Sequence, residues 1–194
     1  MFNDTSSPLA LFLTRRSAKA RDLVTPGPDD AQLAQIIAAG SRVPDHGKLA
    51  PWRFVEIPAD QRAAFADVLT DAYRAERPDA GRLEIQAMVD FAHSAPCLVA
   101  LLSTPVLPHK IPLWEQQLSC GAAAMQMLNA AHALGYAGNW LTGWPATSTA
   151  VAHALGATGA EDRIAGFIFI GSASRQLEER PRPETAQIWH KWHG

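Results

Sequence analysis

A continuous apolar run near the end of the chain constrains the fold more than any other feature. Residues 164–171 read Ile-Ala-Gly-Phe-Ile-Phe-Ile-Gly and contain no charged side chain. A short apolar run rich in β-branched and aromatic residues is typical of a buried strand. A second run, over 97–103, has the same character and suits a central strand. The sequence therefore predicts a sheet whose middle strands are hidden from water.

Helical patterns separate these strands and outnumber them. Ser7 and Pro8 are an N-cap and first-turn pair, and Asp29 or Asp30 is placed to cap a second helix that stops at Gly40. Further helices are predicted over about 60–77 (amphipathic and exposed), 80–93, 112–135 and 150–155. Residues 52–57 alternate like a half-buried strand, and 138–145 read as a tight extended segment. Few strands separated by many helices predict an α+β layered domain.

Composition narrows the class of protein further. The chain has 194 residues, the size of one domain spanning 1–194, and 47% of its residues are hydrophobic. The net charge of -2 gives no general attraction to nucleic acid or to a membrane. No apolar run approaches the roughly 20 residues of a membrane span, and the N-terminus does not resemble a secretory signal. We therefore expect a cytoplasmic protein.

Several common catalytic motifs are absent from the sequence. There is no Gly-x-Gly-x-x-Gly after a strand, no phosphate-binding loop, no His-Glu-x-x-His and no Gly-x-Ser-x-Gly. Cys120 lies mid-helix among small apolar residues, so we expect it to pack rather than to react. His190 and His193 have no carboxylate or cysteine beside them, and no metal site is predicted.

The first segment with a chemical signal follows the first predicted helix. Arg15, Arg16 and Ser17 place two guanidiniums beside a hydroxyl, which suits a phosphate or another electron-rich group. The alternative is a solvated helix end whose cations complement the helix dipole.

Two later segments carry similar signals. Arg42 and His46 flank a Pro-stiffened loop that would hold them in fixed positions, although a plain surface loop fits equally well. The stretch 138–143 combines glycines, which permit close backbone approach, with the flat side chain of Trp140. A core strand with a glycine bulge is the alternative for that stretch.

In combination, these segments resemble the nitroreductase family of FMN-dependent oxidoreductases, and its short YdjA-like branch in particular. The shared features are Arg-Arg-Ser, Arg-x-Pro-Asp-His, Pro-Trp at 51–52, Trp-Glu at 114–115, Gly-x-Trp-x-Thr at 138–142 and Gly-Phe at 166–167. None of these motifs is specific alone, but their order and spacing hold over nearly the whole chain.

The resemblance implies a fold and a cofactor site. The expected fold is a mostly antiparallel sheet packed between helices in an intertwined homodimer, with residues from about 175 to 194 packing on the partner subunit. Two FMN molecules would lie at the subunit boundary, with Arg42 and His46 reaching the flavin from the other subunit. The expected FMN-binding residues are Arg15, Arg16, Ser17, Arg42, His46, Trp140, Leu141 and Thr142.

The resemblance also implies a reaction. A hydride would pass from NAD(P)H through FMN to a nitroaromatic, quinone-like or other electron-poor acceptor in ping-pong order. FMN carries that chemistry, so no catalytic side chain is predicted. Of Arg15 and Arg16, one would stabilise negative charge at the pyrimidine end of the flavin and the other would bind the phosphate. A flavin-dependent dehydrogenase or reductase of an unidentified metabolite, and a non-catalytic flavin-binding redox module, are the alternatives.

Overall fold

The computed structural model describes residues 1–194, which form seven α-helices and five strands. The helices are α1 (Pro8–Thr14), α2 (Asp30–Gly40), α3 (Arg62–Glu76), α4 (Arg82–His93), α5 (Leu113–Ala133), α6 (Thr149–Ala154) and α7 (Thr185–Ile188). The strands are β1 (Leu23–Val24), β2 (Trp52–Glu56), β3 (Cys97–Ser103), β4 (Ala137–Leu141) and β5 (Arg163–Ala173). None of the helices combines the length and the hydrophobicity needed to cross a bilayer.

The apolar run at 164–171 lies in β5, at the centre of the sheet. Strand β5 pairs with β1, β3 and β4, and β2 pairs with the other edge of β3. Every one of these pairings is antiparallel. The α+β prediction, with a mostly antiparallel sheet, is confirmed.

Helices cover both faces of this sheet because its central strands are apolar on both faces. In β3, Leu98, Ala100 and Leu102 pack in the cluster that includes Phe65 of α3. The alternate residues of β3 pack in a second cluster with α2 and α5, and they are Cys97, Val99 and Leu101. Alternation along one strand thus divides the core into two layers.

The helix boundaries follow local chemistry, whereas the exposure of α3 and two short elements differ from the prediction. Asp29 caps α2 by accepting from the backbone N–H of Gln32 at 2.8 Å. Helix α2 ends at Gly40 as predicted, but a Cβ at that position would lie 2.7 Å from Cγ of Met127, so the glycine permits close packing on α5. Helix α3 is less exposed than expected, since one face is buried against the sheet. The sequence prediction missed β1 and α7, which have two and four residues.

Strand β5 contains one extra residue in its ladder with β3. Gly166 lies opposite Leu101 and Ile164 lies opposite Leu102, so Ala165 has no partner. This β-bulge shifts the side-chain alternation by one position. As a result Ile164 and Phe167 both pack in the α3-side cluster although three positions separate them.

The imidazole of His132 is expected to make stability depend on pH. His132 on α5 is fully buried and neither ring nitrogen has a hydrogen-bond partner. Burial, aided by the nearby charge of Arg15, lowers its pKa to about 4. The unfolded chain therefore binds this proton more readily, and stability is lost as the pH falls from the usual histidine pKa of about 6.5 toward 4.

Because of His132, we expect the free energy of unfolding of the apoprotein to be about 2 kcal/mol lower at pH 5 than at neutral pH. Urea unfolding of the wild type and of His132→Phe across this pH range measures the effect, and the variant should lose that part of the pH dependence. His153→Phe, at an exposed histidine, is the control. An unchanged pH slope in His132→Phe would contradict the assignment.

The C-terminal segment leaves the sheet after β5. Ser174 donates its backbone N–H and its hydroxyl to the carbonyl of Asp22 at 2.9 and 2.8 Å. Beyond it, Ile188, Trp189 and Trp192 are largely exposed, and Trp192 is 90% exposed. The packing of 175–194 on a partner subunit stays a prediction.

Candidate functional site

A cavity of about 360 Å³ lies where β4 faces α5 and the C-terminal segment. Its volume falls in the range of small-ligand pockets. Its lining combines cations, one aromatic ring and a few apolar side chains. The lining residues are Arg15, Arg16, Ser17, Met125, Leu128, Asn139, Trp140, Leu141, Arg180 and Arg182.

The Arg-Arg-Ser segment directly follows α1, which ends at Thr14, and its backbone is held by the side chain of Asn3. Asn3 accepts from the backbone N–H of Arg16 at 2.8 Å and donates to its carbonyl at 3.2 Å. The Arg15 Nη1 donates to Ser17 Oγ at 3.3 Å, while the Arg16 Nε donates to the carbonyl of Glu178 at 2.7 Å. Arg16 therefore joins the N-terminal segment to the C-terminal one, whereas most donors of Arg15 remain available.

The electrostatics of the cavity favour an anion. Four arginines line it and no carboxylate does. Burial, followed by the charges of Arg182 and Arg16, lowers the pKa of Arg15 from its usual value. Because a guanidinium stays protonated in proteins, this unfavourable crowding of like charge is relieved by binding a negative group.

Trp140 forms the aromatic wall of the cavity. Its indole N–H donates to the carbonyl of Ala165 at 3.0 Å, the carbonyl of the unpaired bulge residue. The ring lies directly against Gly166, where any Cβ would overlap the indole. Asn139 fixes the same strand by donating its side-chain amide to the carbonyl of Ala18. The indole is thus held in one orientation and is 37% exposed.

Replacing Gly166 with alanine is expected to displace Trp140. The added Cβ would overlap the indole and lie 3.0 Å from the carbonyl oxygen of Leu141. We expect a loss of stability of about 2 kcal/mol, the usual cost of overpacking. Affinity for a ligand stacked on Trp140 should fall about tenfold, which equals about 1.4 kcal/mol.

Equilibrium unfolding and titration with FMN measure the two effects of Gly166→Ala. Gly121→Ala is the matched control, because a Cβ there has no neighbour closer than 4.0 Å, the tip of the same indole. An affinity for FMN equal to that of the wild type in Gly166→Ala would show that the ligand does not use this wall.

Three of the predicted flavin-binding residues do not line the cavity. Arg42, His46 and Thr142 are exposed and lie outside its lining in the single chain. His46 instead pairs with Glu115 in the first turn of α5, with 2.7 Å between Nδ1 and Oε2. The other five predicted residues do lie together: Arg15, Arg16, Ser17, Trp140 and Leu141.

The sequence prediction missed half of the lining. Arg180 and Arg182 are far from Arg15 in sequence, and only the alternating Arg-Pro-Arg-Pro pattern at 180–183 marked them. Asn139 lies inside the segment 138–143, for which the prediction rests on the glycines and Trp140 alone. Met125 and Leu128 carry no signal beyond their position on a long helix.

The predicted role of Cys120 as a packing residue agrees with the structure. Cys120 is 1% exposed, and burial raises the pKa of its thiol to about 12. A thiol in that state is a poor nucleophile.

The fold and the cavity together define an α+β protein that presents a cationic ligand site at the end of an edge strand. This chain belongs to the nitroreductase family, whose family model matches residues 13–172. The match covers every predicted site residue, whereas Arg180 and Arg182 lie beyond it.

Curated relatives agree with this membership. The chain is 37% identical over 168 residues to YdjA of Escherichia coli K12, which is named as an NAD(P)H nitroreductase, covering 84% of this chain and 87% of that protein. It is 32% identical over 176 residues to a Haemophilus influenzae protein with the same assignment, covering 90% and 92%.

Solved structures share the fold. A nitroreductase-like family protein from Bacillus cereus superposes with a TM-score of 0.80 at 18% identity, covering 97% of each chain. A nitroreductase with bound FMN from Bacteroides fragilis gives 0.68 at 20% identity, covering 96% of this chain and all of that one. The NADPH:FMN oxidoreductase of Vibrio harveyi, solved with NAD⁺, gives 0.71 at 18% identity, covering 95% and 76%.

Proposed function

We propose that this chain is an FMN-dependent oxidoreductase that takes reducing equivalents from NAD(P)H and delivers them to electron-poor acceptors such as nitroaromatics and quinones. The observation that carries the proposal is the cavity in which four arginines and no carboxylate face a fixed indole. A flat ligand with a phosphate matches both features. The names of the relatives and the FMN in the Bacteroides fragilis structure support the same assignment.

The residues of the cavity divide between the two ends of FMN. Arg15, Ser17 and Arg182 would hold the phosphate, because Arg15 has free donors and lies near the charge of Arg182. Arg16 would then serve the pyrimidine end, where a fixed cation stabilises negative charge. Trp140 and the backbone of Leu141 would contact the ring system, together with Thr142.

When bound, FMN supplies the redox chemistry by carrying a hydride equivalent from the nicotinamide donor to the acceptor. Trp140 would exclude water from one side of the ligand. Donor and acceptor would then use the remaining side in turn, which gives a ping-pong order.

The direct test is the colour and reactivity of the full-length protein. The purified chain should retain FMN through gel filtration, and its visible flavin absorbance should bleach on anaerobic addition of NADH or NADPH and return on addition of a nitroaromatic or quinone. Colourless protein that does not bind added FMN would overturn the proposal. Bound FMN that neither nicotinamide reduces would indicate a non-catalytic flavin module instead.

We further propose that the active form is a homodimer. Large apolar side chains on α1 and α5 are exposed, as are those of the C-terminal segment, and a monomer rarely leaves such a surface uncovered. The exposed side chains are Leu9, Phe12, Leu13, Trp114, Leu118, Ile188, Trp189 and Trp192. Arg42 and His46 of a second copy would complete the flavin site. The other partner is a small-molecule acceptor, and a cytoplasmic location stays a prediction.

Light scattering on the eluted protein tests the dimer. The full chain should have twice the mass of one chain, and truncation after Ser174 should give monomeric or insoluble protein. A flavin-loaded dimer from the truncated chain would contradict the proposed role of the C-terminal segment.

A further inference from the structure

The last residue of α3 holds the turn that follows β4. The carboxylate of Glu76 accepts from the indole N–H of Trp144 at 2.8 Å and from the hydroxyl of Ser148 at 2.6 Å. Each carboxylate oxygen therefore has one donor from the chain that leaves the candidate flavin site. Residues 76 and 144–148 are far apart in sequence, so this contact joins two separate parts of the fold.

Helix propensity does not explain a carboxylate at this place. Glu76 ends α3, and negative charge is unfavourable at a helix C-terminus. Its two hydrogen bonds with Trp144 and Ser148 offset that cost. Ser148 is 1% exposed, and the carboxylate of Glu76 is the acceptor that its hydroxyl uses in this structure.

Aromatic packing fixes the same turn from the side. The ring of Trp144 meets that of Tyr73 edge-to-face, with 4.6 Å between the ring centroids. The Tyr73 hydroxyl donates to Glu84 Oε1 of α4 at 3.0 Å and accepts from Arg77 Nη1 at the same distance. The indole that Glu76 binds is therefore held by both helices of this layer.

The turn held in this way adjoins Leu141, which lines the candidate flavin cavity. Leu141 is the last residue of β4 and pairs with Phe167 of β5. Gly143 then adopts φ 63° and ψ −167°, a conformation open essentially to glycine alone. The peptide units from 141 to 143 are consequently fixed at one end by the sheet and at the other by Trp144.

We propose that Glu76 is a positioning residue for the cofactor, acting through Trp144 and Ser148 to hold the backbone of 141–143 where it contacts the flavin. This inference rests on the proposed function. Glu76 itself lies outside the cavity lining, so its effect on the flavin passes through the turn. It differs from a merely stabilising residue in that its loss changes the environment of the bound flavin.

The test compares Glu76→Leu with Glu76→Gln in the full-length chain. Glutamine can still accept from the indole and can donate to the Ser148 hydroxyl, whereas leucine can do neither. We expect Glu76→Leu to weaken FMN binding about tenfold or more and Glu76→Gln by less than about threefold. At saturating FMN, the visible circular dichroism of the flavin should change in Glu76→Leu and match the wild type in Glu76→Gln.

Two further variants make the result decisive. Asp71→Leu removes an exposed acidic group from the same helix and should leave FMN affinity and the dichroism unchanged. Trp144→Phe keeps an aromatic ring but removes the indole donor, and it should weaken FMN binding about threefold or more. This variant takes the place of Glu76→Leu in the test if Glu76→Leu does not fold.

Wild-type affinity and dichroism in Glu76→Leu, or in Trp144→Phe if that variant must replace it, would overturn this inference even if thermal stability falls. Failure of the wild type to bind FMN would be seen before any variant is made, and it would overturn the proposed function together with this inference.

Discussion

Replacing Arg62 with methionine is expected to lower the free energy of unfolding by about 4 kcal/mol. Arg62 begins α3 and is 5% exposed, and no carboxylate pairs with it. Its guanidinium donates to four carbonyls, those of Ile57 at 2.7 Å, Ala92 at 2.9 Å, and Ser94 and Pro96 at 3.3 Å each. Methionine fills similar space but donates to none, which leaves these buried acceptors unsatisfied.

The carbonyls that Arg62 binds come from the end of β2, the end of α4 and the entry to β3. Its loss should therefore loosen the layer of helices on that face of the sheet. Urea unfolding measures the change, and Arg74→Met, at an exposed arginine of the same helix, should cost less than about 0.5 kcal/mol. A loss of stability in Arg62→Met as small as that in Arg74→Met would show that water replaces the guanidinium of Arg62 without cost.

Replacing Arg15 with alanine is expected to weaken FMN binding about 100-fold, which equals about 2.7 kcal/mol. The guanidinium of Arg15 has one hydrogen-bond partner in the chain, Ser17, and lies among other cations. A phosphate would use its remaining donors. Binding of riboflavin, which has the same ring system without the phosphate, should change by less than about threefold.

Fluorescence titration of the apoprotein with each flavin separates the two ends of the ligand. Arg21→Ala, at an exposed arginine outside the cavity, is the control. A parallel loss of FMN and riboflavin affinity in Arg15→Ala would move Arg15 to the pyrimidine end and assign the phosphate to Arg16. Unchanged affinity for both flavins would remove Arg15 from the site.

The central strands and long helices were predictable because their signals are local. The runs at 97–103 and 164–171 must be buried whatever surrounds them, and Ser7 and Asp29 cap their helices through contacts within one turn. Strand β1 could not be found in this way, because two residues carry no periodicity and pair only when β5 is already in place.

The candidate site was predictable only where it is continuous in sequence. Arg15 to Ser17 and Trp140 to Leu141 each form a compact motif, and both line the cavity. Arg180 and Arg182 reach it because Arg16 binds the carbonyl of Glu178, a contact across 162 positions that no local pattern encodes. Glu76 was missed for the same reason, since its partners lie on another element.

The bulge at Ala165 makes chain length matter more than residue identity at this point of β5. Its carbonyl holds the indole of Trp140, and its presence brings Ile164 onto the same side as Phe167. Both effects come from the main chain, so a conservative substitution of Ala165 should be tolerated. Deleting the residue would restore a regular ladder with Ile164 still on the side of Phe167, but it would remove the carbonyl that accepts from the indole of Trp140. At this point of β5, loss of the extra residue, rather than its exchange, is therefore the change that natural variation is expected to avoid.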